Sequence, residues 1–119
     1  MEQLRIEGLP EDALAAAAEF HAEWLGRATA ALEASAPPLA GEGLVIILSP
    51  ADHTHRGWRL AAVQSLARQF APHRVNAVAS GDDAAIRAAI AYLECAKGVT
   101  GQYLALDGAG AAEVIRSVP

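Results

Sequence analysis

The fold is decided by HRVNAVASG at residues 73–81, followed one helix later by VTGQYLALDG at residues 99–108. Arg74 to Ala79, small and branched apolar residues apart from Arg74 and Asn76, reads as a strand. Ser80-Gly81-Asp82-Asp83 supplies a turn and a cap for a helix over about Asp83 to Ala96, and Gly98 ends it. Gln102 to Leu106 reads as the next strand. Strand, helix and strand within this span describe one parallel crossover unit.

The same alternation extends backwards. Leu44-Val45-Ile46-Ile47-Leu48 is continuously apolar, as a strand covered on both faces should be. Ser49-Pro50-Ala51-Asp52 then offers a capping serine, a first-turn proline and an acid three residues on. A helix from near Thr54 to Phe70 carries Leu60, Val63, Leu66, Ala67 and Phe70 on one face. Ser35 to Gly43, with Pro37 and Pro38, cannot continue a helix and reads as a loop. Leu4 to Leu9 begins with apolar–charged alternation and reads as the first strand. Pro10 suits the first helical position, and Glu11 and Asp12 suit its positive end. The helix that follows, from about Glu11 to Ala34, has an expected inner stripe of Leu14, Ala17, Ala18, His21, Trp24, Leu25, Ala28, Ala31 and Leu32. At ~1.5 Å per residue it is a rod of roughly 35 Å. Ala111 to Val118 reads as a short terminal helix. With 119 residues the expectation is one domain spanning 1–119: an α/β fold of three layers with a four-stranded parallel sheet in the order 1-2-3-4. Right-handed crossovers are expected throughout.

Apolar residues make up 53% of the chain and aromatics only 5%, so alanine-lined helices must pack closely around few large anchors. The net charge is −5 with both signs interspersed, which argues against nucleic acid and anionic membrane as partners. The single cysteine, Cys95, excludes an intrachain disulfide and suits a reducing compartment. It reads as a buried small hydrophobe, since no histidine stands near it in sequence to activate a thiol. Met1-Glu2-Gln3-Leu4-Arg5 lacks the features of a secretion signal, and no apolar run approaches the ~20 residues of a membrane span. The expectation is a soluble, cytoplasmic protein of bacterial type.

Gln64-Ser65-Leu66-Ala67-Arg68-Gln69-Phe70-Ala71-Pro72 and the following His73-Arg74-Val75-Asn76 resemble a helix–strand passage of the short-chain dehydrogenase/reductase family. Thr100-Gly101-Gln102 and Asp107-Gly108 resemble that family's closing element, and Leu44 to Ser49 its serine-bearing strand. The resemblance runs from about Pro10 to Gly108 and implies the closing half of a Rossmann-like domain. It does not imply the family's activity. No glycine-rich phosphate loop follows the first strand, where Gly8 stands alone, so NAD(P) is not expected and no cofactor is assigned. Counting back from Pro72 places Asp52 at the catalytic tyrosine position and Arg56 at the lysine position. A carboxylate cannot give a proton to a carbonyl and hold the resulting charge as that tyrosine does. Ser49 lies only three residues before Asp52, where the family has about a dozen, and Asn76 matches a structural asparagine. No catalytic residue is assigned.

Two function classes remain. The first is a non-catalytic module acting through a homodimer or another protein partner, with Phe20, Trp24 and Trp58 as candidate interface residues on the long helices. The second is a small-molecule or anion-binding protein, or a minor enzyme, using Ser49, Asp52, His53, His55 and Arg56 at a strand's carboxyl end. The plain alternative for this cluster is a solvated capping turn. A metal held by Asp52, His53 and His55 is a third reading, weakened by the lack of further ligands nearby in sequence.

Overall fold

The computed structural model describes residues 1–34 and 42–106. Of the loop expected over Ser35 to Gly43, residues 35–41 lie outside the described residues and Gly43 opens a strand; the expected Asp107-Gly108 turn and the terminal helix expected over Ala111 to Val118 also lie outside them. Strand β1 spans Glu2–Ile6, β2 Gly43–Leu48, β3 Arg74–Ala79 and β4 Tyr103–Ala105. All pair in parallel, in the order β1-β2-β3-β4. The register places Ile6, Leu48, Ala79 and Ala105 in line, so the carboxyl ends of the four strands form one edge.

A long helical stretch follows β1: α1 over Ala13–Glu19, a π-helical segment over Phe20–Trp24, and α2 over Leu25–Ala34. Helix α3 spans Arg56–Gln69 and α4 Asp83–Cys95. One face of the sheet, with Ile6, Leu44, Ile46, Leu48, Val75 and Ala77, packs on Phe20, Ala28, Leu32, Ala62, Val63 and Leu66 of these helices. The other face, with Val45, Ile47 and Val78, packs on Ile86, Ile90 and Leu93 of α4. The result is the three-layer, Rossmann-like half domain expected.

The expected uniform handedness fails. In a parallel sheet laid down in sequential order, crossovers of one hand keep every helix on one face. Here α4 covers the face opposite to α1–α2 and α3, so the β3–α4–β4 crossover has the opposite hand to the two before it. A strand apolar on both faces, as β2 is, does not encode which helix covers which side.

The first helix also differs in start and phase. Asp12, not Pro10, marks its boundary: the Asp12 carboxylate accepts from the Ala15 N–H at 2.9 Å, and the helix begins at Ala13. β1 stops at Ile6 because Gly8 turns the chain with φ +81°. The residues turned inward are Ala16, Phe20, Ala28 and Leu32, whereas Leu14 is 81% exposed. These inward positions are multiples of four apart. At about 100° per residue, Leu32 would lie about 160° around from Ala16. The wider π turn, closed by the Leu25 N–H donating to the Phe20 carbonyl, absorbs one residue and reduces the offset to about 60°. Cys95, expected buried, is exposed. Among the described residues no helix is long and apolar enough to cross a membrane.

Candidate functional site

Two connections rise from adjacent strand ends: residues 7–12 after β1 and residues 49–52 after β2. Between them lies a crevice of about 380 Å³ bordered by Ile6, Gly8, Pro10, Ser49, Asp52 and Arg59, among others. Outside the carboxyl ends of the strands is where an open parallel sheet takes ligands.

Of the five residues singled out from sequence, Ser49, Asp52 and His55 border this crevice, and His53 and Arg56 do not. Asp52 is a cap. Its side chain accepts from the Thr54 N–H at 2.9 Å and also from the Thr54 hydroxyl, and it opens a 3-10 turn over His53–His55. Those bonds, the hydroxyl's first, hold its carboxyl below the usual carboxylate range. Burial opposes them, while the electrostatic influence of neighbouring His55 and His53 adds to the lowering. The N-cap expected at Ser49 therefore stands three residues later, at Asp52.

His55 is a structural tie. Its ring is 4% exposed, its Nε2 bonds the Glu11 carbonyl at 2.8 Å, and Trp58 Nε1 donates to its Nδ1 at 3.2 Å. An indole N–H can only donate, so Nδ1 is the acceptor and the ring is the Nε2–H tautomer. This joins the β1–α1 connection to the start of α3. His53 is exposed. Among the described residues no three His, Cys, Asp or Glu side chains converge as a metal site. We expect His55→Ala to cost about 2 kcal/mol, because it leaves a carbonyl and an indole N–H without partners. His53→Ala should change stability by less than about 0.5 kcal/mol. Urea unfolding checks the contrast; equal effects would refute the division of roles.

The interface candidates separate as well. Phe20 is 1% exposed and its ring meets that of Trp58 at 5.3 Å between centroids, so it belongs to the core. It packs against a second helix of the same chain. Trp24 and Trp58 are partly buried, and the Arg27 guanidinium lies 4.6 Å from the Trp24 ring centre. Between the long helix and α3 runs a second hollow of about 470 Å³, bordered by Leu25, Trp58, Ala61, Ala62 and Leu66 among others.

Arg59 was not singled out from sequence. It is 3% exposed and borders the crevice. Its Nη1 donates to the Ser49 carbonyl and to the Tyr103 hydroxyl, each at 2.9 Å, tying α3 to the connection after β2 and to β4. The available signal was periodicity: Arg59 follows His55 by four residues and precedes Val63 by four, on the inner face of α3. A charged residue in that stripe is a buried cation by position.

These residues do not fit the nicotinamide chemistry that the resemblance brings to mind. The tyrosine position holds Asp52, engaged in capping, and the lysine position holds Arg56, which is exposed and does not border the crevice. A family model described as short chain dehydrogenase-like protein matches residues 4–106. None of the curated proteins and none of the solved structures matches the chain.

Proposed function

We propose that this chain, which belongs to the short chain dehydrogenase-like family, is a Rossmann-like module without hydride-transfer chemistry that works by assembly. The observation that carries this reading is how the polar side chains at the sheet's carboxyl edge are engaged. Asp52, at the tyrosine position, caps a turn, while His55 ties two connections and Arg59 ties α3 to the ends of two strands, so these side chains serve the architecture. The partner surface is the hollow between the long helix and α3, where Leu25, Ala61 and the half-buried Trp58 border an apolar recess. A second copy of the chain is the preferred partner, since Leu25 of the long helix and Trp58, Ala61 and Ala62 of α3 meet on one face that the same face of a second copy can cover. The single exposed, unpaired Cys95 supports a place in the reducing cytoplasm.

Light scattering during size exclusion tests the reading. At high micromolar concentration the expected mass is twice the 12.3 kDa of one chain, unchanged by NADPH. Ala61→Arg, at an exposed position beside the hollow, should return the monomer without unfolding it. A wild-type monomer throughout this range would overturn self-assembly. Tight NADPH binding would overturn the loss of nicotinamide chemistry. A second reading, small-molecule binding in the crevice between β1 and β2, is favoured by one observation: a buried guanidinium borders it with no carboxylate partner among the described residues.

A further inference from the structure

We infer that the crevice at the carboxyl ends of β1 and β2 takes a small oxyanion, a carboxylate or a phosphate, as the counter-ion of Arg59. This rests on the second reading above and gives it a ligand class.

Arginine keeps its charge in a protein interior because it cannot shed its proton. A buried charge is normally paired with an opposite one, since water that would have solvated it has been removed. Arg59 is 3% exposed, yet the acceptors it reaches, the Ser49 carbonyl and the Tyr103 hydroxyl, are neutral. Its Nε is fully enclosed and has no hydrogen-bond partner. Among the described residues no carboxylate forms an ion pair with it; the ion pair there, Arg5 with Asp83 at 3.5 Å, lies on the exposed far side of the sheet. The rings of Trp58 and Tyr103, at 5.6 and 5.8 Å from its Cζ, soften the field without cancelling the charge.

The surroundings set the ligand's size and charge. A space of about 380 Å³ admits a small molecule. Two acids, Glu11 and Asp52, also border the crevice, both exposed to water and with Asp52 engaged by Thr54. Solvated carboxylates are screened, whereas the enclosed guanidinium is not. They nevertheless disfavour a dense negative charge. The arrangement fits a compact group with one delocalised charge better than a polyphosphate.

Amide chemical-shift titrations at constant ionic strength with acetate, orthophosphate and the neutral isostere acetamide decide the matter. Acetate or orthophosphate should shift the amides of Gly8, Ser49, Ala51 and His55 saturably in the millimolar range, and acetamide should not. Arg59→Lys should weaken the effect by about tenfold, because an ammonium lacks the planar donor set. Arg56→Gln, at an exposed position outside the crevice, should leave it unchanged. If Arg59→Lys fails to fold, the comparison of acetate with acetamide on the natural chain decides alone. Equal responses to acetate and acetamide would overturn the oxyanion inference while leaving a ligand crevice in place. The same midpoint in Arg59→Lys would also overturn it. No response at these amides to any of the three would overturn both.

Discussion

Gly43→Ala is expected to destabilise the domain by about 3 kcal/mol or more, enough to lower the urea midpoint by about 2 M. Gly43 opens β2 directly opposite Arg74, the first residue of β3. A Cβ built on it would stand 1.7 Å from the Arg74 carbonyl oxygen and 2.6 Å from the Arg74 carbonyl carbon and nitrogen. These atoms are backbone, so no side-chain rotation relieves the overlap. The two strands would have to separate where the Arg74 N–H donates to the Glu42 carbonyl at 3.0 Å, at the start of the central pair of the sheet. A glycine inside a strand commonly marks such a close approach. Gly57→Ala is the control. Gly57 lies in α3 with nothing within 4 Å of an added Cβ, so alanine there should stabilise by about 0.5–1 kcal/mol. A Gly43→Ala chain as stable as the natural one would mean that β2 does not meet β3 as described.

The sheet was legible because its signals are redundant. The unbroken run from Leu44 to Leu48 can be buried only between two layers, and it proves buried along its whole length. In β1 the alternation matches an edge strand with Leu4 and Ile6 facing the helices and Gln3 and Arg5 exposed. The phase of the first helix was not legible, for a compositional reason. Ala15 to Ala18 are equivalent in size and hydropathy, so the pattern could be anchored on Leu14 or on Phe20, and nothing in it announces a π turn. The aromatic ring prevails because it fills the space beneath Trp58, and Leu14 is left in water.

The candidate site was legible in position more than in membership. A polar cluster after a buried strand pointed to the correct edge of the sheet, because the topology of parallel strands fixes where connections converge. Membership follows helix phase. His55 and Arg59, one turn apart, face inward, while His53 and Arg56 face solvent. Arg59 was overlooked because a charged residue among alanines reads as surface. Cys95 erred in the other direction: it lies two residues after Leu93, which is fully buried, and helical geometry turns it away from the sheet.

Arg74→Met should cost about 3–5 kcal/mol, from the loss of two close hydrogen bonds of a charged donor at about 1.5–3 kcal/mol each. Methionine keeps much of the stem's volume and removes the donors, so the loss reports the bonds more than the packing. Arg74 is 4% exposed at the start of β3. Its Nη1 donates to the Leu93 carbonyl at 2.7 Å and the Ala96 carbonyl at 2.8 Å, with Val99 more distant at 3.4 Å. These are carbonyls at and beyond the end of α4, where a helix leaves acceptors without internal partners and where its dipole favours a cation. Asn76 continues the work one pleat along. Its Nδ2 donates to the Val99 carbonyl at 3.0 Å and its Oδ1 accepts from the Gln102 N–H at 3.0 Å. The Thr100 hydroxyl accepts from the Val75 N–H at 3.0 Å, and the Gly101 N–H donates to the Val75 carbonyl at 2.7 Å. The two stretches that decide the fold from sequence are thus bonded to each other, and the crossover of unusual hand is held by side chains of the strand it leaves. Because Arg74 and Asn76 share the Val99 carbonyl, Arg74→Met combined with Asn76→Ala should cost less than the sum of the separate losses. Arg87→Met, on the exposed side of α4, should change stability by less than about 0.5 kcal/mol. Strict additivity of the pair, or an Arg74→Met effect as small as that of Arg87→Met, would show that the end of α4 is held by something other than these two residues.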